Sequence, residues 1–532
     1  MTKHFLITAL LLLCSYLSFG QNGNNLFDDS FIHTIAINSI APFSYEDFHD
    51  TLHTNYAENL YGSVSKPYFP TTLTIDGIVF DTVGVRYKGI SSFEFAEAIN
   101  KFPLKIDLNE FVAGQDYDGI KKINLNNNII DVSYMRAKLS FEIMNRMGIV
   151  SPRVAYAEVY VNGSYRGLYS MVEQIDKKFV RNHYDPDNTG FLHKAYGLTV
   201  GFQTPFFSGQ DTTDLNLMSV APLKTKKSSN NYQPLRDFVV ACNNSTDTEF
   251  ENDVNDIFDL ETFIDQQAVT MILGDSDHYC HGNSNFYLYL NPQDNKWYMI
   301  PWDYDLAFDA LGTNYIEDPV NPPNFTAPFC LLNKRLFDIP SLRTRYNDAL
   351  CKTINYGMDS LWIHHRIDEI KDLIGTTVEN DPHFWDIPNF EDILNQTYVT
   401  DSIGEFLNNV NVPGIRLYIN ERFQQVRENL LNQDYICGEV TGLENTAIRT
   451  LNVTISPNPT NDVIHIEPSG IGEISRITVL NSVGQEVQTV VTSENRNDRI
   501  SIDLTTYTGG IYYIRFEGNG ETINFLHKVI KL

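Results

Sequence analysis

The sequence predicts a mixed α+β domain followed by a smaller all-β one, and three observations carry that prediction. Short apolar runs alternate with polar turns in the first part of the chain, where Asp76-Gly77 and Asn162-Gly163 read as tight turns. Helical periodicity takes over in Leu260 to Leu273 and again from Leu331 to Leu431. From Leu451 onward, alternation, glycine turns and about seven short strands suggest a small β-sandwich.

The chain has 532 residues, enough for two or more domains with sizeable cores. Its formal net charge of -28 argues against nonspecific binding to nucleic acid or to an anionic membrane, whose phosphates it would repel. Residues 1–20 have a basic start and a short apolar run, FLITALLLLCSYLSF, then Gly20-Gln21, the pattern of a secretory signal peptide. Cys14 follows Leu13, which disfavours a lipoprotein cleavage site. No later stretch is long and apolar enough for a transmembrane helix. Beyond the signal, Cys242, Cys280, Cys330, Cys351 and Cys437 show no zinc spacing. Export permits disulfides, and their odd number leaves at least one thiol over. Cys280, three residues after Asp277, is a weak candidate nucleophile.

In chain order, the first segment with chemistry is VGVRYKGISSFEFAEAINKFPLKIDL. Arg86, Lys88, Lys101 and Lys105 concentrate cations around a Gly-Ile-Ser-Ser turn, which suits nucleotide phosphates or a basic strand edge equally. A helix from about Tyr134 to Met147 follows, capped by Asp131 or Ser133, with Met135, Leu139, Ile143 and Met147 as one buried stripe. The Val154–Val172 hairpin ends in Glu173, which is expected to pair with a lysine, and Lys194 stands in the next strand. Residues 197–234 read as an irregular insertion carrying Lys224, Lys226 and Lys227, a possible phosphate or substrate contact. A loop with Pro319, Pro322, Pro323 and Pro328 is placed to flank a groove.

The stretch GDSDHYCHGNSNFYLYLNPQDNKWYMIPWDYDLAF, Gly274 to Phe308, organises the rest. Asn285–Leu290 and Trp297–Ile300 read as strands around an Asn-Pro-Gln-Asp-Asn turn. Such a hairpin returns Asp303 to the neighbourhood of Asn285 and of the loop carrying Asp275 and Asp277. In an extended segment Asp303 and Asp305 would share a face. Carboxylates and an amide oxygen gathered there suit a hard cation, with one Asp left as a base. Protein kinases use the same order: base Asp, metal-binding Asn, hairpin, metal-binding Asp. Solvated turn residues are the bland alternative.

Residues 28–435 resemble the CotH family of atypical protein kinases. The resemblance rests on VRYKG…KFPLKIDL, NRMGIVSPR, VYVNGSYRGLYSMVEQID, GDSD…NFYLY, WYMIPWDYD and LLNKRLFDIPSLRTRY in that order. It implies an atypical protein-kinase-like domain over 28–436 and transfer of phosphate from ATP to Ser or Thr of an unidentified protein substrate, with Mg2+ or Mn2+ as cofactor. Asp277 then matches the catalytic acid, and Asn285 and Asp303, with Asp305 beside them, the metal ligands. Arg86, Lys88, Lys105 and Glu173 match nucleotide contacts. The chain departs from the family where Lys88-Gly89-Ile90 replaces a common Arg-Gly-Asn and where the Asp277–Asn285 interval is longer than usual.

After a linker at 437–450, residues 451–532 resemble a type A sorting domain of the type IX secretion system, through SPNPTND, VLNSVGQEV, GGIYYIRF and HKVIKL. Together with the signal peptide this implies crossing of both membranes, to the outer-membrane surface or beyond. Two functions follow as expectations: a secreted kinase, or a non-catalytic surface adhesion protein on a pseudokinase fold.

Overall fold

A computed structural model describes residues 23–40, 44–58, 66–195, 218, 220–282, 284–312, 318–322, 330–383, 389–400 and 410–437, and, farther on, 452–457, 460–469, 476–481, 486–491, 500–507, 509–518 and 521–531. The expected signal peptide and the linker beyond Cys437 lie outside these. The chain divides into two compact units, the first ending at Val440 and the second starting at Thr441.

The first unit begins with a closed barrel of β1 (His33–Ser39), β2 (Phe69–Ile75), β3 (Ile78–Tyr87), β4 (Leu104–Asp107), β5 (Lys122–Asn126), β6 (Val154–Val161) and β7 (Ser164–Glu173). Their order is β1-β2-β3-β4-β5-β7-β6, and a parallel β1–β6 pairing, His33 opposite Ala157, closes the ring. Closure leaves no open edge to aggregate. Alternation puts Val83, Val85, Tyr87, Leu104, Ile106, Ile123 and Leu125 into one apolar cluster inside it. The intervening positions, Arg86, Lys105 and Asn124, therefore stand on the opposite face of the sheet. The Asn162-Gly163 turn joins β6 to β7 with both residues at positive φ, 49° and 79°, the backbone that a two-residue hairpin needs.

Helix Arg136–Arg146 is shorter than the periodicity predicts. Tyr134 sits at φ 58°, a left-handed conformation that ends any helix before it, and the Asp131 carboxylate accepts from the Arg136 amide at 2.8 Å. The predicted stripe holds: Met135, Leu139, Ile143 and Met147 are all buried. They join one large cluster with helices Leu260–Leu273, Pro340–Lys352, Ser360–Glu379 and Ile415–Leu431. Within this helical part lies a sheet of β8 (Phe191–Lys194), β9 (Phe286–Asn291) and β10 (Lys296–Pro301), in the order β10-β9-β8.

Among the described residues two disulfides, Cys280–Cys330 and Cys351–Cys437, leave Cys242 as the buried free thiol. Cys280 is thus bonded and not a nucleophile. The second unit holds a three-stranded and a four-stranded sheet among its described residues. Residues of both sheets, including Ile455, Ile464, Ile466, Ile477, Val479, Ile514 and Val529, form one apolar cluster.

Candidate functional site

Helix Leu260–Leu273 delivers the loop that carries the acids. It stops at Gly274, whose φ of 59° is left-handed and whose Cβ, if added, would lie 2.2 Å from the Tyr418 hydroxyl. Tyr418 Oη donates to the Ile272 carbonyl at 2.9 Å, and Arg422 Nε to the same carbonyl at 3.2 Å, satisfying a helix-end acceptor. Beyond it, the Asp277 amide donates to Asp275 Oδ1 at 2.9 Å.

The hairpin returns as its sequence predicts. Pro301 pairs with Phe286, and the Trp302 amide donates to the Asn285 carbonyl at 3.0 Å, which brings Asp303 to the start of β9. Asn285 Nδ2 donates to the Asp277 carbonyl at 2.7 Å and to Asp277 Oδ2 at 2.8 Å, while Ser284 Oγ donates to Oδ1 at 3.2 Å. Asn285 therefore spends its amide NH2 on Asp277, and its Oδ1 is the atom suited to a cation. Asn285 and Asp303 both sit at positive φ, 60° and 63°. Strain of this kind persists where the surroundings over-determine it. The positive φ at Asp303, followed by turns, corrects the premise of an extended Asp303–Asp305 segment. The two side chains are neighbours electrostatically all the same.

Burial, then the charges of Asp277 and Asp303, pushes the Asp275 carboxyl well up. Burial and Asp303 raise Asp277, although Asn285 and Ser284 oppose the rise. Asp305 is raised well above the ordinary range by burial, then by Asp303, Asp275, Asp131 and Asp277. Asp275 Oδ2 is buried with no hydrogen-bond partner. An orphaned carboxylate oxygen amid mutually repelling carboxylates fits a bound cation. Among the described residues no three or more His, Cys, Asp or Glu side chains form a metal cage. A magnesium ion here would share two carboxylates and an amide with phosphate oxygens, its usual habit.

Acids with raised native pKa values bind more protons folded than unfolded, so stability falls as pH rises above the ordinary carboxylate value near 3.8. A cation that compensates the ionised cluster offsets that loss. The magnesium-dependent gain in melting temperature is therefore expected to grow from about pH 5 to about pH 8. A gain that is flat or shrinking across that range in thermal unfolding would count against a cation at this cluster.

Cations face the acids from the barrel. Arg86 is paired with Lys105, and Lys105 with Asn124, across β3, β4 and β5. The Arg86 guanidinium lies 5.0 Å from the Tyr68 ring centre, and its Nε is buried without a partner. Lys88 Nζ donates to Asn126 Oδ1, and Lys105 Nζ to Gln174 Oε1. Burial lowers Lys88 to about 8, against the opposing pull of the Asp303 and Asp305 charges. Burial and the charges of Arg86, Lys88, Lys122 and Lys194 push Lys105 well down.

Two of the residues singled out in the sequence have partners of their own. Lys101 is 1% exposed and forms an ion pair with Asp381 at 2.7 Å. Glu173 binds Arg153, not a lysine: Arg153 Nη2 donates to Oε1 at 2.7 Å and Nε to Oε2 at 2.9 Å. Lys226 lies over the Phe191 ring at 4.4 Å, and the Leu223 segment bridges to His193 of β8. Of the proline loop, Pro323 and Pro328 lie outside the described residues.

Sequence reasoning missed Arg136. Its side chain is fully buried, and Nη1 donates to the carbonyls of Ala307 at 2.7 Å and Phe308 at 2.6 Å, anchoring the chain just past Asp305. An arginine in the first turn of an amphipathic helix resembles a solvated residue, so no local signal marks it.

All of these residues from Arg86 to Asp305 lie inside one match: residues 85–422 fit the family model described as CotH kinase protein. The chain belongs to the CotH kinase protein family. Its C-terminal residues 454–531 match a secretion system C-terminal sorting domain, which points to export by the type IX machinery to the cell surface or the exterior. This CotH chain is 24% identical over 286 residues to inner spore coat protein H of Bacillus subtilis, covering 51% of this chain and 73% of that protein. It is 21% identical over 272 residues to invasin CotH2 of Rhizopus delemar, covering 47% of this chain but 43% of the invasin, less than half its length. The crystal structure of the Helicobacter pylori proinflammatory kinase CtkA aligns at 11% identity over 60% of this chain and 93% of that one, with a TM-score of 0.20, too low to bear on the fold. Among the described residues, no helix is long and apolar enough to cross a membrane.

Proposed function

We propose that this CotH protein is an exported protein kinase that transfers the ATP γ-phosphate to a Ser or Thr of a protein substrate. The observation that carries the reading is the meeting of Asp277, Asn285 and Asp303 at one end of the β9–β10 hairpin. Lys88 of the barrel faces that group closely enough to feel the charges of Asp303 and Asp305.

In this reading Asn285 Oδ1, Asp303 and Asp305 would hold magnesium or manganese. The ion, when bound, would neutralise charge on the phosphates. Arg86, Lys88 and Lys105 bind and orient the triphosphate from the barrel side. Asp277, held by Asn285 and Ser284, orients the acceptor hydroxyl and takes its proton as oxygen–phosphorus bond formation proceeds. The bond from the γ-phosphorus to the bridging oxygen breaks, and ADP leaves with that electron pair. Glu173 is left a supporting part: its bidentate Arg153 pair fixes the end of β7 beside Gln174, the partner of Lys105.

The test is incubation of the full chain with labelled ATP, magnesium or manganese, and a Ser-rich acceptor. Label transfer is expected, together with a nucleotide-induced rise in melting temperature that requires the metal. Asp303→Asn should erase that rise while raising the melting temperature of the metal-free protein, because one repelling charge is gone. An unchanged nucleotide response in Asp303→Asn removes it from the ligand set.

The second reading, a non-catalytic surface-binding protein, is favoured by the name of the Rhizopus relatives, invasins. Absence of both label transfer and any metal-dependent nucleotide response would decide for it.

A further inference from the structure

We propose that Lys194 of β8 is a phosphate-binding residue on the wall opposite the barrel, and that it makes the cleft selective for a nucleoside triphosphate over shorter phosphate chains. This rests on the kinase reading above. Lys194 pairs with Tyr287 across β8 and β9. Its Nζ lies 5.7 Å from the Tyr287 ring centre and 5.4 Å from that of Trp302. Tyr287 stands two residues after Asn285, and Trp302 immediately precedes Asp303. The two rings meet edge-on at 5.7 Å, and the lysine nitrogen lies against both. The Lys194 ammonium is thereby set on the two rings that neighbour Asn285 and Asp303 in the chain.

Its charge adds to those that lower Lys88 and Lys105 of the barrel. Like charges repel, and an anion bound among them relieves the repulsion. The barrel cations alone can grip a short phosphate. Only a chain that extends to the metal-binding side also gains Lys194. Barrel cations alone therefore give affinity, and Lys194 adds preference for length.

The experiment is calorimetric titration of the full chain with ATP, ADP and AMP, each with magnesium, for wild type, Lys194→Gln, Lys194→Met and Lys194→Arg. Lys194→Gln is expected to weaken ATP about tenfold, as loss of one charge-assisted contact does, and AMP by less than about twofold. Lys194→Met, which keeps the stem against Tyr287 and Trp302, should behave alike, and Lys194→Arg should restore most of the ATP affinity. Equal weakening of all three nucleotides, or none, overturns the assignment. Wild-type protein that binds no nucleotide overturns the kinase reading together with this one. Wild-type binding that the charge-removing variants leave intact overturns this one alone.

Discussion

Asp277→Asn is expected to lower phosphoryl transfer about 1000-fold, in the middle of the range for loss of a positioned general base. The substitution keeps the shape of the side chain, and one Asn oxygen can still accept from Asn285 Nδ2, which now reaches the carboxylate at 2.8 Å. It removes the negative charge that takes the acceptor proton. Metal-dependent nucleotide binding should persist, since Asn285 and Asp303 remain. Because Asp277 is raised by burial and by Asp303, removing its charge should not unfold the loop. Label transfer is compared with wild type at equal circular dichroism and equal nucleotide-induced melting shift. Full activity in Asp277→Asn would sink the assignment, whatever the metal does.

Asp381→Ala is expected to cost the first unit about 3–5 kcal/mol, the usual result of stranding a buried charge. Asp381 Oδ2 accepts from Lys101 Nζ at 2.7 Å, from Tyr134 Oη at 3.1 Å and from the Leu168 amide at 2.8 Å. Alanine leaves all three donors in a dry interior, and Lys101 must then either hold an uncompensated charge or give up its proton. Lys101 precedes β4 of the barrel, and Asp381 follows helix Ser360–Glu379. The pair thus ties the cation-bearing barrel to the helical part that carries the acids. Replacing both members, as in Lys101→Met with Asp381→Leu, should cost less than Asp381→Ala alone, because no charge is stranded. All tryptophans of the chain, Trp297, Trp302, Trp362 and Trp385, lie in the first unit, so denaturation followed by their fluorescence reads it selectively. A loss under about 1 kcal/mol in the single variant would mean the pair is solvated and of little weight.

The acid side of the site was legible because its geometry is local. A hairpin with a tight turn returns its ends together whatever surrounds it, so Asn285 and Asp303 had to meet, and Pro301 opposite Phe286 is that meeting. The barrel cations were legible in part. Alternation put Arg86 and Lys105 on one face, but it gave Lys101, which lies in a loop, the same standing. Nothing local separates a lysine that faces a cleft from one whose counter-ion stands 280 positions away. Glu173 failed for the same reason: its charge was visible, and which cation would reach it was not.

The sequence by itself determined the mixed α+β character of the first part, the buried stripe of the helix at Arg136–Arg146, the β-rich tail and the hairpin that gathers the acids. Each of these follows from periodicity or turn chemistry within a few tens of residues. Tertiary structure alone decided that the first strands close into a barrel, that Cys280 is bonded to Cys330, that Arg136 anchors the chain after Asp305, and that Lys101 is a buried tie to Asp381 while Lys88 binds Asn126. The physical reason is that a charge in a folded protein takes its role from what burial leaves beside it, and burial joins residues that the chain keeps far apart.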